Sequence, residues 1–254
     1  MKLCHVVELG SIGYGEAWAL QERLVAARKR DAAPDVLLLC EHPHVVTLGR
    51  SGKLDNLRAS DELLRQMAVT FHRTNRGGDI TYHGPGQLVG YPILQLGEIR
   101  RDVVWYVRML EEAMIRATAA FGVEAFRIPG CTGAWVRPTT TDDAGRGVTQ
   151  PIADEKLGAI GVHISRWVTS HGFAYNVSTD LRYFDLIVPC GIVGRGTASL
   201  EKLLGRPVAR AEAAARIIEG FGRAFDFEMV AARREQLDPW LAAVEPVPTG
   251  VAKT

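Results

Sequence analysis

The chain has no run of about 18 apolar residues among its 254, so a transmembrane helix is not expected. The longest early apolar run, Val36 to Cys40, is too short and too late for a signal peptide. The four cysteines (Cys4, Cys40, Cys131 and Cys190) make no CxxC pair and no dense framework. That argues against a disulfide scaffold or a zinc site and for reduced thiols in a cytoplasmic protein. His42 and His44 flank Pro43 without a second cluster of ligands in sequence, so no metal is expected there. Charge of one sign is also missing. Thirty Lys and Arg against 29 Asp and Glu leave a net charge of +1, which argues against a nucleic-acid binder working by bulk phosphate attraction. Neither G-x-x-x-x-G-K-[ST] nor G-x-G-x-x-G occurs, which sets aside P-loop and dinucleotide-binding folds. No internal repeat is visible.

What is present is ordinary globular composition, 47% apolar and 23% charged, in a chain long enough for a full core. Short strands and helices alternate without a regular βαβ period. The pattern predicts strands at Val6 to Leu9, Asp35 to Glu41, Val45 to Leu48, Val69 to Thr74, Gly90 to Leu96, Glu124 to Arg127, Gly133 to Val136, Glu155 to Ser165 and Trp167 to Phe173. The near-continuous apolar run at Asp35 to Glu41 suits a strand buried on both faces. Pro92 puts the Gly90 to Leu96 strand at an edge or starts it after the proline. Helices are predicted at Tyr14 to Arg30, Asp61 to Met67 behind a Ser60 cap, Val103 to Phe121, Thr197 to Leu204 and Ala209 to Phe225, with a last turn at Asp238 to Leu241. In Val103 to Phe121 the spacing selects Val104, Val107, Leu110, Met114, Ala117 and Phe121 as the buried face, and Gly122 ends the helix. The polar Pro138 to Pro151 stretch reads as a flexible loop and the tail after Glu245 as disordered. One domain covers residues 1–254, with a small C-terminal subdomain from about Gly196 as an option.

Arg76 to Gln87 reads RGGDITYHGPGQ, with four glycines and a proline in twelve residues. Asp79 to Tyr82 looks extended, and Gly84-Pro85-Gly86 then breaks the chain. An arginine, backbone N–H groups and an imidazole are presented together, which suits a pocket wall. A hairpin with ordinary turn glycines is the plain alternative. Cys190 sits between Pro189 and Gly191, in LIVPCGI, where the bend can aim its sulfur. An inert core thiol is the alternative, and Cys131, which follows Pro129-Gly130, is a rival nucleophile on local grounds. A thiol becomes a good nucleophile when a nearby cation favours the thiolate. Lys156, Lys53, Arg76, His83 and His171 are the candidate cations, and spacing does not choose among them. In HGFAYN, Gly172 and Ala174 leave room for a ligand between His171 and Phe173, while a strand histidine satisfied in the core is the alternative.

Taken together, EHPHVVTLGR (Glu41 to Arg50), RGGDITYHGPGQLVGYPI (Arg76 to Ile93), KLGAIGVHISRWVTSHGFAYNV (Lys156 to Val177) and LIVPCGI (Leu186 to Ile192) resemble the lipoyl(octanoyl) transferase family of lipoate biosynthesis. The glycine-tyrosine-histidine string with a downstream PCG is specific, and Lys156 precedes Cys190 by 34 positions, as the family pattern has it. The resemblance implies an α/β (α+β) fold of the biotin/lipoate protein ligase type, a mixed sheet flanked by helices. It implies octanoyl (or lipoyl) transfer from acyl carrier protein, through a thioester on Cys190, to a lysine of the lipoyl domains of 2-oxoacid dehydrogenase and glycine-cleavage proteins. Lys156 would favour the Cys190 thiolate and then help deprotonate the amine. Arg76, Gly77, Gly78, Asp79, Ile80, Thr81, Tyr82, His83, Ala159, Ile160, Gly161, Gly172, Phe173 and Ala174 would hold the acyl substrate. Ile80, Tyr82, Ile160 and Phe173 would wall its apolar tunnel. No cofactor, metal, nucleic acid or membrane partner is implied. Asp79 departs from the neutral or basic residue the family more often has there, and Pro138 to Pro151 looks like an insertion before Lys156. The alternatives are an ATP-dependent lipoate–protein ligase, a non-catalytic lipoyl-domain binder and a cysteine hydrolase. The last lacks a convincing Cys-His-Asn order, since His171 and Asn176 both precede Cys190 closely.

Overall fold

The run VLLLC buries every side chain because it is the second strand of a sheet covered on both faces, and its alternation deals the residues to two cores. Leu37 and Leu39 join one and Val36, Leu38 and Cys40 the other. The computed structural model describes residues 1–138, 140–141, 147–148, 153–188 and 195–242. Cys190, most of the Pro138–Pro151 stretch and the tail after Glu245 lie outside the described residues.

In chain order the elements are β1 (Lys2–Ser11), α1 (Tyr14–Arg28), β2 (Val36–Glu41), β3 (Val45–Leu48), α2 (Asp61–Gln66), β4 (Thr70–Arg73), β5 (Ile80–His83) and β6 (Gln87–Ile93). Then come α3 (Val103–Ala119), β7 (Ala125–Ile128), β8 (Cys131–Val136), β9 (Thr140–Thr141), β10 (Gly147–Val148), β11 (Glu155–Ser165) and β12 (Val168–Asn176). The chain continues with α4 (Leu200–Leu204), α5 (Arg210–Phe225), β13 (Phe227–Ala232) and α6 (Leu237–Leu241). An eight-stranded mixed sheet has the order β13-β1-β2-β6-β12-β11-β8-β7. β1 runs parallel to β2 and β13, and the other neighbours are antiparallel. A second sheet, β4-β3-β5, carries the glycine-rich string, and β9 and β10 form a two-stranded ribbon. No described helix is long and apolar enough to cross a membrane.

α3 and α5 cover one face of the large sheet with Tyr106, Leu110, Met114, Ile217 and Phe221, while α1 and α6 cover the other with Ala17, Leu24 and Leu241. The segment after Gly196 therefore adds α5 and β13 to the same sheet and core. Ser60 caps α2 as expected, its Oγ accepting from the Leu63 N–H at 3.2 Å.

Two expectations need correction. Val104 is 71% exposed, and the buried stripe of α3 runs instead through Tyr106, Leu110, Ala113, Met114 and Ala117. Packing against α5 as well as the sheet rotates that stripe, which one-helix periodicity does not register. Pro92 lies in an interior strand, opposite Leu37 of β2, and not at an edge. It is tolerated because the β6–β12 ladder is interrupted there and resumes only at Leu94 and Gln95, opposite Thr169 and Val168. His171 of β12 takes a left-handed backbone (φ 53°) and its N–H donates to Gln21 Oε1 of α1 at 2.8 Å. Gly172 faces the proline ring, and any side chain at Gly172 would collide with the Gly90 carbonyl and Pro92 Cδ.

A buried ion pair between Arg28 and Asp35 also holds the backbone just past β6. Arg28 Nε donates to Asp35 Oδ1 at 2.9 Å with the two side chains 7% and 5% exposed, and the same oxygen accepts the Gln95 N–H at 2.9 Å. Asp35→Ala is expected to destabilise the protein by about 3–5 kcal/mol, because it leaves a buried guanidinium without its carboxylate. Urea unfolding measures this, and a loss near zero would show that Glu98 and Asp31, the other partners of Arg28, suffice.

Candidate functional site

β5, β11 and β12 converge on a cavity of about 500 Å3, within the usual range for small-molecule sites. Arg76, Gly77, Gly78, Asp79, Ile80, Thr81 and His83 line it from the glycine-rich string; Lys156, Ala159, Ile160 and Gly161 from β11; Gly172, Phe173 and Ala174 from β12. These expected residues are thus brought together by antiparallel pairing that sets Ala159 opposite Ala174, Ile160 opposite Phe173 and Gly161 opposite Gly172. Tyr82 is the exception. Alternation along β5 sends Thr81 and His83 to the cavity and Tyr82 to the opposite side, where it is fully buried, bonded to His44 Nδ1 at 2.7 Å and stacked on Tyr183. It braces the wall from behind and does not form it.

The Arg76–Gly78 turn is held rigidly. The Gly77 N–H donates to the Val162 carbonyl at 2.8 Å, and the Arg76 and Gly78 carbonyls accept from Arg50 and Ser51. Gly161 is needed for this approach, since a Cβ there would lie 2.9 Å from the Gly77 carbonyl and 3.0 Å from Arg76 Cδ. Arg76 itself is buried, its guanidinium donating to the Thr47 carbonyl at 2.7 Å and to Thr47 Oγ1. Asp79 accepts from the Lys53 N–H at 3.2 Å and from Asn56 Nδ2 at 2.5 Å, so its carboxylate braces the 53–56 turn.

Lys156 stands at a β-bulge between Trp135 and Ala134 of β8. Its N–H donates to the Gly196 carbonyl at 2.9 Å, its carbonyl accepts from the Ala198 N–H at 3.0 Å, and its Nζ lies 4.7 Å from the centre of the Trp135 ring. Arg195 lies over the same ring at 5.2 Å. Two cations on one indole make this corner electropositive. A smaller chamber beside it is lined by Gln87, Trp135, Asn176, Phe184, Arg195, Gly196 and Thr197, and shares Thr81, Lys156, Ala159 and Ala174 with the main cavity. Cys190 lies outside the described residues, and the residues on either side of its segment are tied down, one side at this corner. On one side the Val188 N–H donates to the Asn56 carbonyl at 2.7 Å; on the other, Gly196 and Ala198 pair with Lys156. Of the remaining cysteines, Cys4 and Cys40 are fully buried and burial pushes both thiols far up, whereas Cys131 is half-buried and lines the cavity. Lys53, among the candidate cations, does not line the cavity.

The cavity also takes Tyr14, Val89, Tyr91, Val107 and Cys131, none of which the sequence assigned to substrate. Tyr14 opens an amphipathic helix, and nothing in its neighbours marks it as a wall residue. Histidines gather at the cavity, His83 and His171 in its lining and His42 beside them. His42 accepts from the Tyr91 hydroxyl on Nε2 at 2.7 Å and donates from Nδ1 to the Ile12 carbonyl at 2.7 Å. His171 Nε2 bonds Asn75 Oδ1 at 2.6 Å. Burial pushes His42 down to about 4, and His83 and His171 down to about 3, with neighbouring His42 and Arg76 respectively adding to the effect. Below about pH 6.5 the unfolded chain binds a proton on each of the three while the folded chain refuses it. Stability therefore falls as pH is lowered from about 6.5 towards 4, by about 1.4 kcal/mol per pH unit for each histidine. Urea titrations at about pH 7 and pH 5 read this directly, and equal midpoints at both would contradict it.

Comparison with known proteins agrees with this geometry. Residues 13–222 match the family described as the lipoyl protein ligase A/B catalytic domain. An octanoyltransferase of Solibacter usitatus is 51% identical over 230 residues, 91% of this chain and 96% of the relative. One of Acidobacterium capsulatum is 48% identical over 238 residues, 89% and 92% of the two chains. Among solved structures, a bi-partite lipoate protein ligase from Thermoplasma acidophilum superposes with a TM-score of 0.69 at 14% identity, covering 100% of this chain and 99% of that one. A lipoate-protein ligase A bound with ATP gives 0.64 at 15% identity over 99% and 100%. At such identities the solved structures establish the fold, and the octanoyltransferases carry the closer kinship. The large mixed sheet, the glycine-rich cavity wall and these sequence matches together place the chain in the lipoyl protein ligase A/B catalytic family, among the octanoyltransferases.

Proposed function

We propose that this chain is the acyltransferase that moves an octanoyl group from acyl carrier protein to a lysine of a lipoyl domain, by way of a thioester on Cys190. The Cys190 thiolate attacks the thioester carbonyl of the carrier, the phosphopantetheine thiol leaves, and an octanoyl thioester remains on the enzyme. The amine of the acceptor lysine then attacks that carbonyl, the amide forms, and the Cys190 thiolate departs. Exchange of one thioester for another is nearly isoenergetic, and amide formation makes the second step downhill, so no ATP is consumed. In this scheme Lys156 takes the Cys190 proton, favours the thiolate as an ammonium and hands the proton to the departing phosphopantetheine sulfur. The neutral lysine then accepts the amine's proton in the second step and returns to the ammonium beside the released thiolate.

The observation that carries the reading is the convergence at Lys156. Gly196 and Ala198, just past the 189–194 segment, hydrogen-bond the Lys156 backbone, Arg195 shares its aromatic platform, and the cavity opens on the same side chain. The apolar part of the cavity, with Val89, Ile160 and Phe173, suits a saturated chain. A cytoplasmic location fits a donor and an acceptor of this kind.

The test is intact-protein mass spectrometry after mixing the protein with octanoyl-carrier protein and no acceptor. An octanoyl increment that maps to Cys190, persists in Cys131→Ala and is absent from Cys190→Ala is expected. An increment mapping to Cys131 would transfer the nucleophile's role there. No increment, together with lipoyl-domain modification that needs octanoate and ATP, would make the chain a ligase.

A further inference from the structure

Between the main cavity, which His83 lines, and the smaller chamber, which Gln87 and Asn176 line, these three largely buried side chains form a hydrogen-bonded chain whose direction is forced. Asn176 Nδ2 donates to the Ala198 carbonyl at 3.0 Å. A carbonyl only accepts, so the amide of Asn176 is oriented, and its Oδ1 faces Gln87. Gln87 Nε2 donates to that oxygen at 2.9 Å and to the Tyr82 carbonyl at 3.3 Å, a second acceptor that allows no other orientation. Gln87 Oε1 is left facing His83 Nδ1 at 2.7 Å, and since the oxygen has no proton, Nδ1 must carry it. His83, Gln87 and Asn176 are 7%, 1% and 4% exposed, so water does not compete for these bonds. The far end of the chain is the peptide of Ala198, whose own N–H pairs with the carbonyl of Lys156.

We infer that Gln87 and Asn176 are positioning residues that lock His83, a cavity-lining group, in the Nδ1-protonated tautomer, leaving Nε2 as a hydrogen-bond acceptor for the N–H of the incoming lysine amine. This rests on the proposed octanoyl transfer. A neutral imidazole with its proton turned inward does not donate to the acyl carbonyl or stabilise an oxyanion from Nε2. It holds an N–H group, and in the second step the attacking amine is the group that has one to offer. Burial, which holds the ring neutral, keeps that acceptor available. The same chain ties His83 to the strand pairing of Lys156, so acceptor and proton-accepting lysine are held in one frame. Both glutamine and asparagine stand inside the strings that mark the family, at the end of RGGDITYHGPGQ and of HGFAYN, yet neither presents a reactive group of its own.

The experiment is a long-range 1H–15N correlation spectrum of the wild-type protein labelled at histidine, with His83→Gln used to assign the signals. A pyrrole-type Nδ1 and a pyridine-type Nε2 on His83 are expected. Gln87→Met, which removes the acceptor at Nδ1, is expected to leave a mixture of tautomers and to slow amine transfer by about tenfold or more relative to loading of the enzyme by octanoyl-carrier protein, measured by rapid quench. His83 protonated on Nε2 in the wild type would overturn the inference, as would a folded Gln87→Met protein that transfers to amine at the wild-type rate or loses both steps equally. The wild-type spectrum decides the tautomer even if the variant does not fold. Failure of the wild type to form any acyl-enzyme would overturn the proposed function instead, and the tautomer signal is independent of it.

Discussion

Cys190→Ala is expected to abolish octanoyl transfer to lipoyl domains and to leave the melting temperature near that of the wild type. The scheme routes every turnover through the sulfur, and alanine supplies nothing that can hold the acyl group. A hydroxyl or a water in its place would attack the carrier thioester far more slowly than a thiolate does. Among the described cysteines, Cys131 alone reaches the cavity, so Cys131→Ala is the necessary companion and should retain turnover. Steady-state transfer from octanoyl-carrier protein, followed by mass spectrometry of the acceptor domain, measures both. Residual turnover in Cys190→Ala above a few per cent would count against an obligatory acyl-enzyme at this residue.

Lys156→Ala is expected to lower turnover on the order of a hundredfold or more, as loss of a positioned acid–base group does. The strand should survive the change, because the bonds that register it, to Gly196 and Ala198, are made by the backbone. The ammonium packs on Trp135, so alanine also exposes the indole, which is otherwise 1% accessible, and some stability is lost through that contact. Lys156→Arg separates the two roles assigned to the lysine. Arginine keeps the positive charge and can stack on the same ring, but it does not give up a proton at working pH. Loading of Cys190 should therefore survive in Lys156→Arg better than transfer to the amine does. Near-normal rates in Lys156→Ala would remove the residue from the mechanism, and equal loss of both steps in Lys156→Arg would reduce its role to geometry.

Much of the fold is legible in the amino-acid sequence. The all-apolar VLLLC run announces a strand covered on both faces, the Tyr14 and Ala209 periodicities announce amphipathic helices, and Ser60 announces a cap. These are local signals, written in the spacing of neighbours, and tertiary packing does not override them. The cavity residues are legible for a different reason. RGGDITYHGPGQ and HGFAYN pair glycines with polar groups in a way that strand packing alone does not require.

What the residues determine by themselves is the inventory: the elements, the absence of any phosphate-binding or dinucleotide-binding glycine motif, and the short strings that hold the chemistry. Tertiary structure decides which side of each strand those strings present. Tyr82 lies between Thr81 and His83 in sequence, yet a period of two sends it behind the wall, to His44 and Tyr183. Pro92 sits mid-sheet because His171, nearly eighty residues away, turns its N–H towards Gln21 and interrupts the ladder. Val104 is exposed because the partner of its helix is another helix. Tyr14, Arg195, Gln87 and Asn176 join the site only through pairings between distant segments. Spacing along a chain specifies faces, and it takes the register of one strand against another to specify which faces meet.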